Sequence, residues 1–199
     1  RCRGNPTVGS NPTASASDRF PLGFIGNDSR THRLEVRAAW NKKHAAFGFR
    51  QVNDEQNAEL QAWVKKHAGS GNRLLDLFGG YGNLSRGLVS SFKEIHCVDI
   101  SVPREKPANL PESYSFHRAS TVWWLQNTEL KNLNNTVAIL DPPREGLGSD
   151  FSQIEFALNT KFSPQTLILV GCDPDAFARD TYRFTQKGYE LKRLGVLDL

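Results

Sequence analysis

The stretch that most constrains the chain runs from Leu74 to Leu88 and reads Leu-Leu-Asp-Leu-Phe-Gly-Gly-Tyr-Gly-Asn-Leu-Ser-Arg-Gly-Leu. Leu74, Leu75, Leu77 and Phe78 form a short apolar run, the pattern of a strand buried on both faces. Gly79, Gly80 and Gly82 follow at once. Lacking a Cβ, they allow positive φ and let a ligand come close to the backbone. Leu84, Leu88 and Val89 then fall at helical spacing. Strand, glycine turn and helix N-terminus in succession predict the first crevice of a doubly wound α/β sheet.

The same residues narrow the ligand. No Gly-Lys-Ser/Thr follows the glycines, so this is not a phosphate loop. Ser85 stands near where a dinucleotide fingerprint has its third glycine, which disfavours a nicotinamide oxidoreductase. The next apolar run, Ile95-His96-Cys97-Val98, closes on Asp99. An acid about 20 residues beyond such a turn can take ribose hydroxyls. S-adenosylmethionine (SAM) has a ribose and no pyrophosphate, and fits such a site. The bland alternative is a tight βα turn with a chance acid.

At 199 residues the chain is one domain with room for a core. A net charge of +4 permits an anionic partner without demanding one. There is neither an apolar run long enough for a membrane span nor a signal peptide. Cys2, Cys97 and Cys172 are odd in number and widely spaced, which points to a reducing, cytoplasmic setting. It also argues against a disulfide framework or a zinc site, and no metal is expected. The chain starts at Arg1 and contains no methionine, so it reads as a piece of a longer protein or as a sequence that has lost its methionines.

Residues 1–33 are rich in Gly, Pro, Asn, Ser and Thr and read as a loop or arm. Leu34, Val36, Ala38 and Trp40 alternate, and Phe47 and Phe49 resume the alternation, which predicts a hairpin. The domain boundary falls between residues 46 and 47, with 1–46 an arm and hairpin and 47–199 the main domain. Asn53 caps a helix with Gln56 at the capping-box position. Leu60, Trp63, Val64 and His67 are its packed stripe and Gly69 its stop.

Strands are predicted at Leu74–Phe78, Ile95–Val98, Tyr114–His117, Thr136–Leu140 and Thr166–Val170, with a sixth starting at Tyr189–Leu194. Pro103, Pro107 and Pro111 exclude a confident crossover helix before the third strand. Val122, Trp123 and Leu125 mark a short helix or turn. Further helices are predicted from about Asp150 to Asn159, and from Pro174, with Asp173 as cap, to a stop at Gly188. This alternation indicates a mostly parallel, doubly wound sheet in three layers, of Rossmann-like type.

Ligands in such sheets bind outside the carboxyl ends of the strands. Phe78, Gly80, Asn83, Asp99, Asp141 and Cys172 all fall at those ends. Pro142 and Pro143 stiffen the exit after Asp141. Cys172 precedes a helix N-terminus, where free N–H groups and the dipole favour an anion; Asp173 and Asp175 oppose this. A buried structural cysteine is the usual alternative, and Cys97, within a strand, suits it better.

Phe49-Arg50-Gln51-Val52-Asn53, Asp76-Leu77-Phe78-Gly79-Gly80-Tyr81-Gly82-Asn83, Asp141-Pro142-Pro143-Arg144 and Gly171-Cys172-Asp173-Pro174 through Ala178-Arg179-Asp180 occur in that order, ahead of a closing Leu194–Leu199. Together they resemble the RNA 5-methyluridine (uracil-C5) methyltransferase family, over roughly Phe47 to Leu199. The resemblance implies a SAM-dependent enzyme acting on transfer or ribosomal RNA. It implies that Gln51, Phe78, Asn83, Asp99 and Asp141 contact SAM, and that Cys172 is the nucleophile; Gly80 and Gly82 of the glycine turn complete the expected SAM site. It also places a general-base glutamate shortly beyond a closing segment like Leu197-Asp198-Leu199; the given sequence ends first, so the resemblance names no base here.

Two other readings stay open. An amino N-methyltransferase would use Asp-Pro-Pro to hold an exocyclic amine and leave Cys172 idle. A non-catalytic SAM- or RNA-binding module needs no base at all.

Overall fold

Strands that are apolar on both faces need cover on both faces, and the chain supplies it. The computed structural model describes residues 54–131 and 134–197. The arm, the predicted hairpin, the boundary at 46/47, Gln51, the Asn53 cap and Leu199 lie outside the described residues.

Helix α1 (Asp54–Ala68) carries acids in its first turn and Lys65, Lys66 and His67 in its last, matching the helix dipole. It stops at Gly69, where φ is +62°. Leu60, Val64 and Ala68 are its buried stripe, and Trp63 and His67 pack ring to ring at its margin. Then follow β1 (Gly71–Leu77), β2 (Phe92–Val98), β3 (Tyr114–His117), α2 (Thr121–Asn127), β4 (Thr136–Leu140), α3 (Phe151–Ala157), β5 (Thr166–Leu169) and α4 (Pro174–Thr185).

All strand pairs are parallel, in the order β3-β2-β1-β4-β5. The order reverses between β1 and β4, the switch point of a doubly wound sheet. Register places Leu77 of β1 opposite Val98 and Leu140, so three strands end level. Alternate residues face opposite layers. Leu74, Ile95, Val137, Ile139 and Ile168 pack with α1 and the glycine turn. Leu75, Leu77, Val98, Ala138 and Leu140 pack with residues of α2 and α3 and with Phe184 of α4.

Two expectations are corrected. Leu84, Leu88 and Val89 do not lie on an α-helix: turns and a short 3-10 helix, Arg86–Leu88, join β1 to β2. A helix retracing a strand of seven residues needs about 15 residues at 1.5 Å each, as long as the whole connection 78–91 with its glycine turn. Leu84 and Leu88 are buried all the same. No sixth strand forms at Tyr189–Leu194. No described strand pairs with that segment, and Leu191 and Leu194 are exposed. The helix expected from about Asp150 to Asn159 is present as α3, preceded by a 3-10 turn, Gly148–Asp150, and continued by a wider helical turn, Leu158–Phe162, which ends at Ser163 with φ +42°.

The connection between β2 and β3 contains no helix, as its prolines require. No described helix is long and apolar enough to cross a membrane.

This packing predicts a contrast. Ile139→Ala, in the middle of β4 and fully buried, removes contacts on the α1 side of the sheet and should cost about 2–5 kcal/mol. Tyr182→Ala, 64% exposed on α4, should change stability by no more than about 0.5 kcal/mol. Urea denaturation of both variants measures the difference.

Candidate functional site

The hydrogen-bond ladder continues past the strand ends. Gly79 N–H donates to Val98 O at 3.2 Å, Asp99 N–H to His117 O at 3.2 Å, Asp141 N–H to Leu77 O at 3.2 Å and Val170 N–H to Leu140 O at 2.8 Å. Phe78, Gly80, Asp99, Asp141 and the turn leading to Cys172 therefore leave the sheet along one edge.

The glycine turn is held from beneath. Asp76 is wholly buried in β1, and its Oδ2 accepts a short hydrogen bond from Ser85 Oγ. Tyr114 Oη lies 2.6 Å from the same hydroxyl, reaching across from β3. A Cβ on Gly79 would lie 2.6 Å from the Asp76 carboxyl and 2.7 Å from Cys97 Sγ, so only glycine fits. One on Gly82, whose φ is +76°, would meet Tyr114 Oη at 2.1 Å. Phe78 itself has φ +62°, a costly conformation for a bulky residue and a mark of functional turns. Sequence reasoning quoted Asp76 within a motif but assigned it no role. The signal was there: a lone acid inside an otherwise apolar strand.

Three carboxylates converge on this turn. Asp99 Oδ2 accepts from Gly80 N–H at 3.2 Å, and its Oδ1 from Ser101 N–H at 2.7 Å and Ser101 Oγ at 2.6 Å. Burial pushes Asp76 up to about 6; the hydrogen bonds from Ser85 and Cys97 oppose this and the Asp99 charge adds to it. Burial likewise pushes Asp141 up to about 7, reinforced by Asp76 and Asp99. Three acids gathered at one turn suit a cationic ligand, whose charge would offset their mutual repulsion. Among the described residues no cluster of histidines, cysteines and acids has the arrangement of a metal site.

Asn83 is taken up by α1. It exchanges amide hydrogen bonds with Asn57 at 3.1 and 2.8 Å, and Gln61 Nε2 donates to its Oδ1 at 2.9 Å and its backbone O at 3.0 Å. Gln51 lies outside the described residues. Cys97 is the buried cysteine, its thiol pushed far up by burial and by Asp76.

Cys172 is exposed. It directly precedes α4, whose cap Asp173 accepts from Ala176 N–H at 2.8 Å and whose first residue is Pro174. Cys172 shares a narrow cleft with Pro142, Pro143 and Arg144; the enclosed space, about 10 Å³, holds one water at most.

A clamp from α4 fixes the far wall of that cleft. Asp180, 1% exposed, accepts from Leu147 N–H at 2.6 Å. Arg179 Nη2 donates to Glu145 O at 2.5 Å and Arg183 Nη1 to Gly148 O at 2.9 Å. Gly146, at φ +71°, presses so close that a Cβ would lie 2.3 Å from Asp180 Oδ2.

Strand order and glycine turn together define a Rossmann-like, doubly wound α/β domain. A solved structure described as precorrin 8W decarboxylase, from Methanobacterium thermoautotrophicum, shares the fold with a TM-score of 0.50 and 14% identity, covering 66% of this chain and 72% of that one. No family model matches the chain. The 23S rRNA (uracil(1939)-C(5))-methyltransferase RlmD of Aliivibrio fischeri is 31% identical over 156 residues, 75% of this chain and 34% of that protein. The protein of the same name from Pseudomonas fluorescens is 30% identical over 192 residues, 90% of this chain and 40% of that one. The chain is thus similar to proteins named as RNA uracil-C5 methyltransferases, and it spans between a third and two fifths of the length of these curated relatives.

The clamp generates a double prediction. Asp180→Ala leaves the Leu147 N–H and two arginines without their buried partner and should cost about 2–4 kcal/mol. Gly146→Ala should also destabilise, through the blocked Cβ and the positive φ. The double variant should fall short of the sum, because the alanine at 180 removes the atom that obstructs position 146. Chemical denaturation of all three measures the coupling.

Proposed function

We propose that the chain carries the catalytic domain of an enzyme that methylates carbon 5 of a uridine in RNA, with SAM as donor. The observation that carries the reading is Cys172, exposed at the head of α4 on the same sheet edge as the carboxylate crevice, in a chain whose relatives bear the names given above.

The crevice fits the donor. SAM bears a sulfonium and an ammonium, and the Asp76, Asp99 and Asp141 carboxylates supply the opposing charge. Bound SAM supplies an electrophilic methyl group. The Gly80–Gly82 backbone lets it lie close to the sheet, and Asp99 takes its ribose hydroxyls on lone pairs left beyond Gly80 and Ser101. Phe78 and Asp141 flank it, and Gln51 is a further contact. Asn83 acts by tying the turn to α1.

Carbon 5 of uracil is too weak a nucleophile to be methylated directly. Addition of the Cys172 thiolate to carbon 6 moves an electron pair onto carbon 5 as an enolate, which takes the methyl group. Loss of the carbon 5 proton to a base then expels the thiolate.

Cys172→Ala should leave folding and SAM binding nearly intact while methyl transfer falls by several orders of magnitude. Wild-type protein should be trapped covalently by 5-fluorouridine RNA and the variant should not, as gel shift and mass spectrometry would read. Retained activity in the variant would overturn the mechanism in favour of amino N-methylation.

Asp141 gives a pH test. Its folded pKa is raised to about 7, so below 7 it is largely protonated and neutral. A cation favours the ionised form, so binding at pH 6 should release a proton. Affinity should climb by up to about tenfold per pH unit until pH 7, then level off. Calorimetry in two buffers detects the proton, and Asp141→Asn should abolish its release. Asp99→Ala should cost about 2–3 kcal/mol of SAM affinity by the same method.

A further inference from the structure

The missing crossover helix between β2 and β3 leaves an open groove of about 430 Å³ beside the edge strand, on the α1 side of the sheet. Its lining includes Val102, Arg104, Lys106, Phe116 and Arg118. We propose that this groove docks the sugar–phosphate backbone of the RNA; the proposal rests on RNA being the substrate.

Its charge supports the assignment. Arg104 and Arg118 are exposed and make no hydrogen bond or ion pair among the described residues. Lys106 Nζ gives one of its donors to Pro111 O at 3.1 Å. A fourth cation, Arg86 in the connection after the glycine turn, lies near the groove's Phe116, with its guanidinium carbon 5.8 Å from the ring centroid. The Arg86 Nε is buried and has no hydrogen-bond partner among the described residues, an expensive state unless an acceptor arrives. Several other arginines of the domain are paired: Arg73 with Glu94, Arg179 and Arg183 with Asp180. The acids of the same connection, Asp99, Glu105 and Glu112, are not part of the lining.

Shape and position select the ligand. Cations from two segments, Arg104 and Lys106 before β3 and Arg118 after it, border a space larger than one phosphate that also presents the Phe116 ring, as in grooves that track single-stranded nucleic acid. Val102 follows shortly after Asp99, so a strand held here runs past the donor crevice at the carboxyl edge of the sheet.

The test uses the full chain and a fluorescein-labelled, uridine-containing single-stranded RNA, titrated across a range of salt. Arg104→Ala/Arg118→Ala should weaken binding at least tenfold at low salt. The slope of log K against log salt should fall by about 1.4, two contacts at about 0.7 each for single strands. Arg104→Lys/Arg118→Lys should restore most of both. SAM affinity and the methylation rate at saturating RNA should stay as in wild type, with KM for RNA raised. Lys65→Ala/Lys66→Ala, on α1, removes the same charge elsewhere and should have little effect. Unchanged affinity and slope in the arginine variant overturn the proposal while a wild type that methylates RNA leaves the proposed function standing. So does an equal loss in the lysine control. Displacement of the RNA by inorganic phosphate at equal phosphate concentration overturns it too, marking a small-anion site. A wild type without RNA affinity overturns both readings.

Discussion

The carboxylate of Asp76 is the interaction on which the site depends. It is buried with no exposed surface, one oxygen satisfied by Ser85 and the other without a hydrogen-bond partner among the described residues. An acid so placed is costly to ionise, which is why burial raises it to about 6. What it secures is the glycine turn: Ser85 is drawn down onto the sheet, Tyr114 closes over Ser85 from β3, and Gly79 has no room for a side chain. The backbone from Phe78 to Gly82 is thereby held in conformations that most residues avoid.

The same device recurs on the other side of the switch point. Asp180 does for the loop after β4 what Asp76 does for the loop after β1. In each case a buried aspartate on a regular element grips the loop through a hydrogen bond, and a glycine sits so close that no Cβ is tolerated. Rigid elements thus position both walls of the crevice, as a site needing fixed geometry requires.

These two devices also explain what was legible and what was not. Phe78, Asp99, Asp141 and Cys172 could be placed at one edge because apolar runs end just before them, and parallel sheets gather strand ends. Burial on both faces made β1 and β4 plain from composition alone. The helix after the glycine turn was misread because Leu84 and Leu88 keep helical spacing even where the connection is too short for a helix to retrace the strand. The sixth strand was misread because alternation signals a strand only if a neighbour supplies ladder bonds. Asn83 could be placed near the crevice, but its partners Asn57 and Gln61 lie in a helix earlier in the chain, and nothing local announces them.

The sequence by itself determined the doubly wound class, the sheet edge at which Phe78, Asp99, Asp141 and Cys172 gather and the place of Cys172 at a helix head, because each follows from local periodicity, glycine conformational freedom and capping. The tertiary structure alone decided which side chains meet across the chain: Asp76 with Ser85 and Tyr114, Asp180 with Leu147, Arg86 over Phe116. Those pairings join residues far apart in sequence, and burial, not propensity, selects them. The raised pKa values of Asp76 and Asp141 arise in the same way, since desolvation and mutual repulsion exist only once the fold has brought the carboxylates together.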